Sequence, residues 1–323
     1  MRQRWRIVAG GLGILSVAVV IAGGVALARL SLNSPAKGVY VLKGTAWQRV
    51  STPFTSAVAQ LQFGFDGDGW VKTRDHHLFR YHAGTWTNFT GSEVSIPNDP
   101  VDAFGFNGRD AWVMTHGFLL HFDAVKWTTH VTDPPGLVPH ALTVNADATV
   151  IMAFDSGQIA MSGDGVDVRF NAVDVLPGFV LSDSAPMFQN TGRTTWLLWG
   201  DLWRLDGSTW TPVWLVAPPM RKYYRLLCAD SESVWLTTET GIGRIDAGNQ
   251  LEQYSFPAEF GDHLILFDGT VNEGVVWLAT SAGIVSFDSG RWSRALPAPA
   301  GLIITHVAFD PQGQMWMTVE GSG

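Results

Sequence analysis

The 323-residue sequence has one cysteine and few charges: only 15% of its residues are Asp, Glu, Lys or Arg. A single thiol, Cys228, excludes an intramolecular disulfide framework. It sits in the apolar run YRLLCAD, where a buried, inert thiol is expected. Such sparse cysteine usage suits an oxidising compartment. Lysine and arginine total 21 against 29 acids, a formal net charge of −8. That balance excludes nucleic acid as a partner, because phosphate binding needs a basic patch. Also missing are the GxSxG elbow of serine hydrolases and the HxH, HxxxH and HExxH spacings of local metal sites. Nothing near Cys228 in sequence would activate it. No catalytic residue and no cofactor are therefore assigned from sequence motifs.

What is present is apolar and rich in turn formers: 46% hydrophobic residues, 35 glycines and 15 tryptophans. This mixture points to many short strands joined by tight turns rather than to helices. The long hydrophobic run is N-terminal. Arg2, Arg4 and Arg6 precede Ile7–Ala28, 22 residues without a charge. A helix of that length, at about 1.5 Å per residue, crosses a hydrocarbon core of roughly 30 Å. The arginines keep residues 1–6 in the cytoplasm. The expected layout is a transmembrane signal anchor over residues 7–30, a polar linker over 31–38, and the remainder outside the cell membrane. Ala26-Leu27-Ala28 also suits a cleaved secretory signal, which would leave the same remainder secreted.

An internal repeat determines the fold class. GWVKTRDHHLFRYHAGTWT (69–87), AWVMTHGFLLHFDAVKWT (111–128), TWLLWGDLWRLDGSTWT (195–211), VWLTTETGIGRIDAGNQLEQY (234–254) and VWLATSAGIVSFDSGRWS (276–293) share one pattern. A degenerate copy, VIMAFDSGQIAMSGDGVDVRF, fills 150–170. The anchor positions Trp70, Trp112, Ile151, Trp196, Trp235, Trp277 and Trp316 are spaced by 42, 39, 45, 39, 42 and 39 residues. A period of about 40 with four strand-sized pieces per unit is the signature of propeller blades. The last unit, 305–323, supplies only two strands. The missing pair lies in GVYVLKGTAWQRV (38–50). The expectation is a seven-bladed, all-β propeller over residues 39–323, closed by one blade shared between the N- and C-terminal strands. Closure leaves no open sheet edge.

The conspicuous residues have structural uses first. Six tryptophans fall on second strands and five (Trp47, Trp86, Trp127, Trp210 and Trp292) on fourth strands, where large rings fill the space between blades. The threonine after each second-strand tryptophan is expected to bond within its blade. Asp/Gly pairs such as Asp66-Gly67-Asp68-Gly69 lack the bidentate acid of a calcium loop and read as hairpin turns.

The repeat form, D-x-x-G, W-x-x-T, G-(L/I)-x-R-x-D, G-x-W, resembles that of bacterial two-component-regulator propellers. ITHVAFDPQGQMWMT and VVWLATSAGIVSFDSGRW carry the resemblance best. It implies an extracytoplasmic sensory module; the kinase and second span found in that family are not seen in this sequence. VWLTTETGIGRIDAGNQLEQYSFP (234–257) is similar to the repeat of streptogramin B lyases, which open a cyclic ester by metal-assisted elimination. That resemblance implies a catalytic His and Glu, for which His263 and Glu273 are the nearest candidates.

In a propeller, the loops between blades share a face with the loops joining second and third strands. The sequence places His76, His77, His116, His140, His263 and His306 on or near that face, with Trp199, Arg221, Tyr223, Asp201, Glu239 and Asp262. Imidazole, aromatic and basic groups around a concave mouth suit a small ligand, a glycan, a peptide or a protein partner. The expectation is a non-catalytic recognition or sensing module; the alternative is a metal-dependent lyase.

Overall fold

The computed structural model describes residues 37–321, except 45, 65, 91–99, 108–109, 116–117, 132–138, 146, 155–156, 163–172, 177–184, 191–193, 215–223, 231–232, 262–263 and 298–300. The expected span over 7–30 lies outside the described residues. Among those described, no helix is long and apolar enough to cross a membrane.

The described strands form seven four-stranded antiparallel sheets, one per repeat. We number the blades by their innermost strands: Val58–Phe63, Val101–Asn107, Pro139–Val144, Met187–Asn190, Leu226–Ala229, Leu266–Asn272 and Leu302–Phe309. The seventh blade is the shared one. Its first two strands, Leu302–Phe309 and Met315–Gly321, are C-terminal; Gly38–Lys43 and Ala46–Val50 complete it. Val39 pairs with Thr318, Tyr40 with Met317 and Val41 with Trp316, which is the closure expected from the sequence. The degenerate copy still builds a complete blade, with Gln158–Met161 and Val173–Val175 as its third and fourth strands.

Burial follows position in the blade. Second strands such as Val150–Phe154 and Thr195–Trp199 are buried at every residue, whereas an outer strand such as Thr85–Asn88 is largely exposed. An inner or middle strand has a neighbouring blade over each face, so both faces of its pleat are apolar. An outer strand faces water, and alternation returns. The core is accordingly divided into seven apolar clusters, each joining residues of two adjacent blades. The second-strand tryptophans bridge these joints. Trp70 meets Phe106 of blade two at 6.3 Å, Trp235 meets Phe287 of blade six at 5.8 Å, and Trp316 meets Phe63 of blade one at 5.0 Å.

The G-(L/I)-x-R-x-D element gains a physical meaning here. Arg80, Arg204 and Arg244 lie directly across the sheet from Trp70, Trp196 and Trp235. Their guanidinium carbons stand 5.8, 5.8 and 5.9 Å from the indole centroids. Each is a cross-strand cation–π pair. In blade two His121 takes the position and stacks on Trp112 at 4.0 Å. The turn aspartates act as turn formers: Asp310 Oδ1 accepts from the backbone N–H of Gln312 and Gln314, and Asp123 Oδ1 from those of Val125 and Lys126.

Candidate functional site

The seven inner strands surround an open axial channel of about 740 Å³. The lining polar groups come from inner strands, with Lys72 reaching in from a second strand: Gln60, Gln62, Asp102, His140, Gln189, Arg225, Asp268 and His306 among them. Six inner strands carry a β-bulge near the end where the strand begins. A bulge inserts one residue that leaves the ladder, freeing its backbone groups to face elsewhere. Three of the freed carbonyls are taken by a side chain from the preceding blade. His306 Nε2 donates to Ala59 at 3.1 Å, Lys72 Nζ donates to Asp102, and Gln189 Nε2 donates to Leu227 at 3.3 Å.

Other joints close in related ways. Asp268 Oδ2 accepts from the Val307 N–H at 3.3 Å, and Asn190 Nδ2 donates to Val144 O at 2.7 Å. At two further joints glycine admits a close approach: a Cβ on Gly105 would sit 3.1 Å from Thr143 Cα, and one on Gly269 3.2 Å from Leu227 Cβ. The channel wall is thus a girdle of inter-blade contacts as well as a surface.

Electrostatics in the wall follow burial. A carbonyl only accepts, so His306 carries its proton on Nε2. Its Nδ1 then accepts from Thr318 Oγ1 at 2.9 Å. Burial is the main cause that pushes His306 down to about 4, so the ring is neutral at ordinary pH. Thr318 lies 2.7 Å from Thr305, Thr305 lies 3.3 Å from Glu320, and Glu320 pairs with Arg74 of blade one at 3.0 Å. Asp268 shows the opposite response. It borders the channel, but desolvation lifts its carboxyl to about 7 against the hydrogen bonds from Gly269 and Val307. Burial lowers Lys72, opposed by the nearby Asp102. Burial also raises the buried thiol of Cys228.

The residues expected at the mouth divide into four groups. His140 and His306 line the channel. His306, however, lies within the inner strand rather than at a loop end, because the bulge at Thr305 turns it toward blade one. His76 and His77 lie at the rim. His76 adopts φ 65° and clamps Val101, accepting from its N–H at 3.1 Å and placing Nδ1 3.2 Å from its carbonyl. His77 is exposed, 3.9 Å from Asp75. Trp199 is not presented to the mouth: it ends a second strand and is buried with Ala141 and Ile151 of blade three. The turn at Gly200, φ 73°, is so tight that no loop remains to carry the indole outward. Asp201 is likewise buried. His116, Arg221, Tyr223, His263 and Asp262 lie outside the described residues. The lyase candidate Glu273 sits in the hairpin between first and second strands of blade six, at the end of the channel opposite the mouth. Among the described residues, no three His, Cys, Asp or Glu side chains could together hold a metal ion.

Sequence reasoning missed Gln60, Lys72, Asp102 and Asp268. For Gln60, Asp102 and Asp268 part of the signal was available: VAQLQF, VDAFGFN and LFDGTVN place polar residues inside first strands, and those with no apolar neighbour blade to meet must face the channel.

No family model matches the sequence, and no curated protein matches it. Solved structures do. "YCF48 bound to D1 peptide" is similar with TM-score 0.60 and 14% identity, over 90% of this chain and 99% of that one. "Streptogramin B lyase structure" is similar with TM-score 0.58 and 17% identity, over 80% and 96%. An extracellular domain attributed to a one component system of B. thetaiotaomicron matches with TM-score 0.56 and 13% identity; 84% of this chain aligns with 41% of that one. At these identities the likeness is one of fold: the chain is a seven-bladed β-propeller.

Proposed function

We propose that the protein is a membrane-anchored, extracytoplasmic recognition propeller that binds a peptide or protein segment at the channel mouth without transforming it. The observation that carries this reading is the division of labour in the channel. His140, Arg225 and Asp102 are exposed polar groups of the channel lining, and Gln60 is half-buried there. The two titratable groups of the wall that burial shifts most are engaged within the protein: His306 through both ring nitrogens, and Asp268 through Oδ2, which accepts from the Val307 N–H. Propeller neighbours support the class of partner: one is solved with a peptide bound and another is an extracellular domain. A small ligand or glycan would use the same mouth.

The lyase alternative is weakened by Glu273, which stands at the other end of the channel. The two readings separate in one assay. The purified full-length chain in detergent is offered a cyclic ester antibiotic of the streptogramin B type, with added divalent metal and with chelator. Recognition alone gives no ring opening in either condition. Chelator-sensitive opening establishes the enzyme.

A further inference from the structure

Strand register fixes which end of the ring meets the preceding chain. Lys37 leads into the third strand of the shared blade, where Gly38 pairs with Val319 and Leu302 with Gly321. The Lys37 side chain lies over Gly321, one residue beyond the Glu320–Arg74 ion pair. That is the end at which inner strands begin, and it holds the channel mouth. The opposite end is acidic. Asp123, Asp206, Asp246 and Asp288 stand at the outer hairpins there, and Asp66 and Asp147 at inner ones. Lys43, Lys126 and Arg291 stand among those hairpins but are outnumbered by the acids; at the mouth end Lys37, Arg74 and Arg225 face Asp75, Asp102, Glu239 and Glu320.

We propose that the propeller is held mouth-toward-membrane, with its acidic end outward, and that its partner is an extended polypeptide segment emerging from the bilayer. This rests on the anchor reading of the previous section. Residues 31–37 would then be the whole tether. Seven residues reach at most about 25 Å when fully extended, and roughly 15 Å as a flexible coil. A small folded domain is about 30 Å across. The average gap therefore admits an extended segment and excludes a folded soluble partner.

The test is size-graded thiol labelling of the full-length chain in sealed proteoliposomes, where impermeant reagents read only outward-facing molecules. Val125→Cys marks the acidic end, where Val125 is 84% exposed. Glu239→Cys marks an exposed turn at the mouth end of blade five. Cys228 is buried and gives little background. A small maleimide should modify both sites at similar rates. A maleimide carried on a folded, domain-sized protein should modify Val125→Cys normally and Glu239→Cys at least about tenfold more slowly. Equal rates with the large reagent, or slower reaction at Val125→Cys, overturns the proposal. Release of the chain from the vesicles by alkaline carbonate would show instead that the anchor reading has failed, and the orientation with it.

Discussion

His306 and Ala59 are 247 residues apart in sequence and are joined by a hydrogen bond of 3.1 Å across the joint between the last and first blades. The imidazole donates through Nε2 to a carbonyl that a β-bulge has released from its own sheet. The neighbouring Glu320–Arg74 pair crosses the same joint. A residue expected to serve a ligand therefore also holds the ring together.

Replacing His306 by Ala leaves the Ala59 carbonyl and the Thr318 hydroxyl without that partner. The expected loss is about 1–3 kcal/mol, read as a lower denaturation midpoint in urea. The acid response has a definite sign. The folded ring titrates near 4, below its ordinary 6.5, so the unfolded chain takes up the proton first. The stabilisation is complete above about 6.5 and is lost as pH falls through 4. His306→Gln should flatten the decline in Tm between pH 6.5 and 4 compared with the parent.

Asp268 should behave in the reverse sense. Its folded carboxyl titrates near 7, above its ordinary 3.8, so the folded state holds the proton longer. The favourable contribution is present below 3.8 and is lost as pH rises through 7. Asp268→Asn keeps an acceptor for the Gly269 and Val307 N–H groups and removes the buried charge. Its Tm should exceed the parent's at pH 8 by more than at pH 5, and the gap should close as pH falls toward 3.8. Equal curves at both pH values would show that water already solvates this carboxylate.

Ring closure depends on a strand pair drawn from the two ends of the described chain. Trp316→Ala removes an indole that meets both Phe63 and Tyr81 of blade one. The expected cost is about 3–5 kcal/mol, comparable with the low end of a domain's net stability. Deleting residues 38–50 should be worse, giving an aggregated or protease-sensitive product with open sheet edges. A deletion variant as resistant to protease as the parent would mean that the blade is not shared.

The architecture was legible because each blade repeats one chemical problem. The tryptophan spacing marks the second strands, and the half-blade GVYVLKGTAWQRV pairs with MWMTVEG as its sequence suggests. The mouth was less legible. Trp199 reads as a loop residue only until the tight turn at Gly200 draws it into the joint with blade three. His306 and Asp268 owe their roles to bulges, and a bulge depends on how seven strands fit around an axis. That fit spans sequence separations no local pattern records. Lys72 shows the same limit: its contact with Asp102 lies 30 residues away, in another blade.

The anchor has its own test. Full-length protein should remain with membranes after an alkaline carbonate wash, and its propeller should be digested by protease added from outside. A soluble secreted form beginning at Arg29 would support a cleaved signal.

Recognition at the channel mouth is tested most directly by comparing two double variants for binding. A peptide library is screened by thermal shift on the full-length chain in detergent, and the Kd of each hit is measured. His140→Ala with Arg225→Ala alters two exposed groups at the mouth, whereas Val125→Ala with Arg291→Ala alters two exposed groups at the acidic end. The mouth variant should lose about 2 kcal/mol of binding, roughly 30-fold in Kd, with the acidic-end variant unchanged. Hits that bind the mouth variant as tightly as the parent, or that weaken only in the acidic-end variant, would contradict recognition at the mouth.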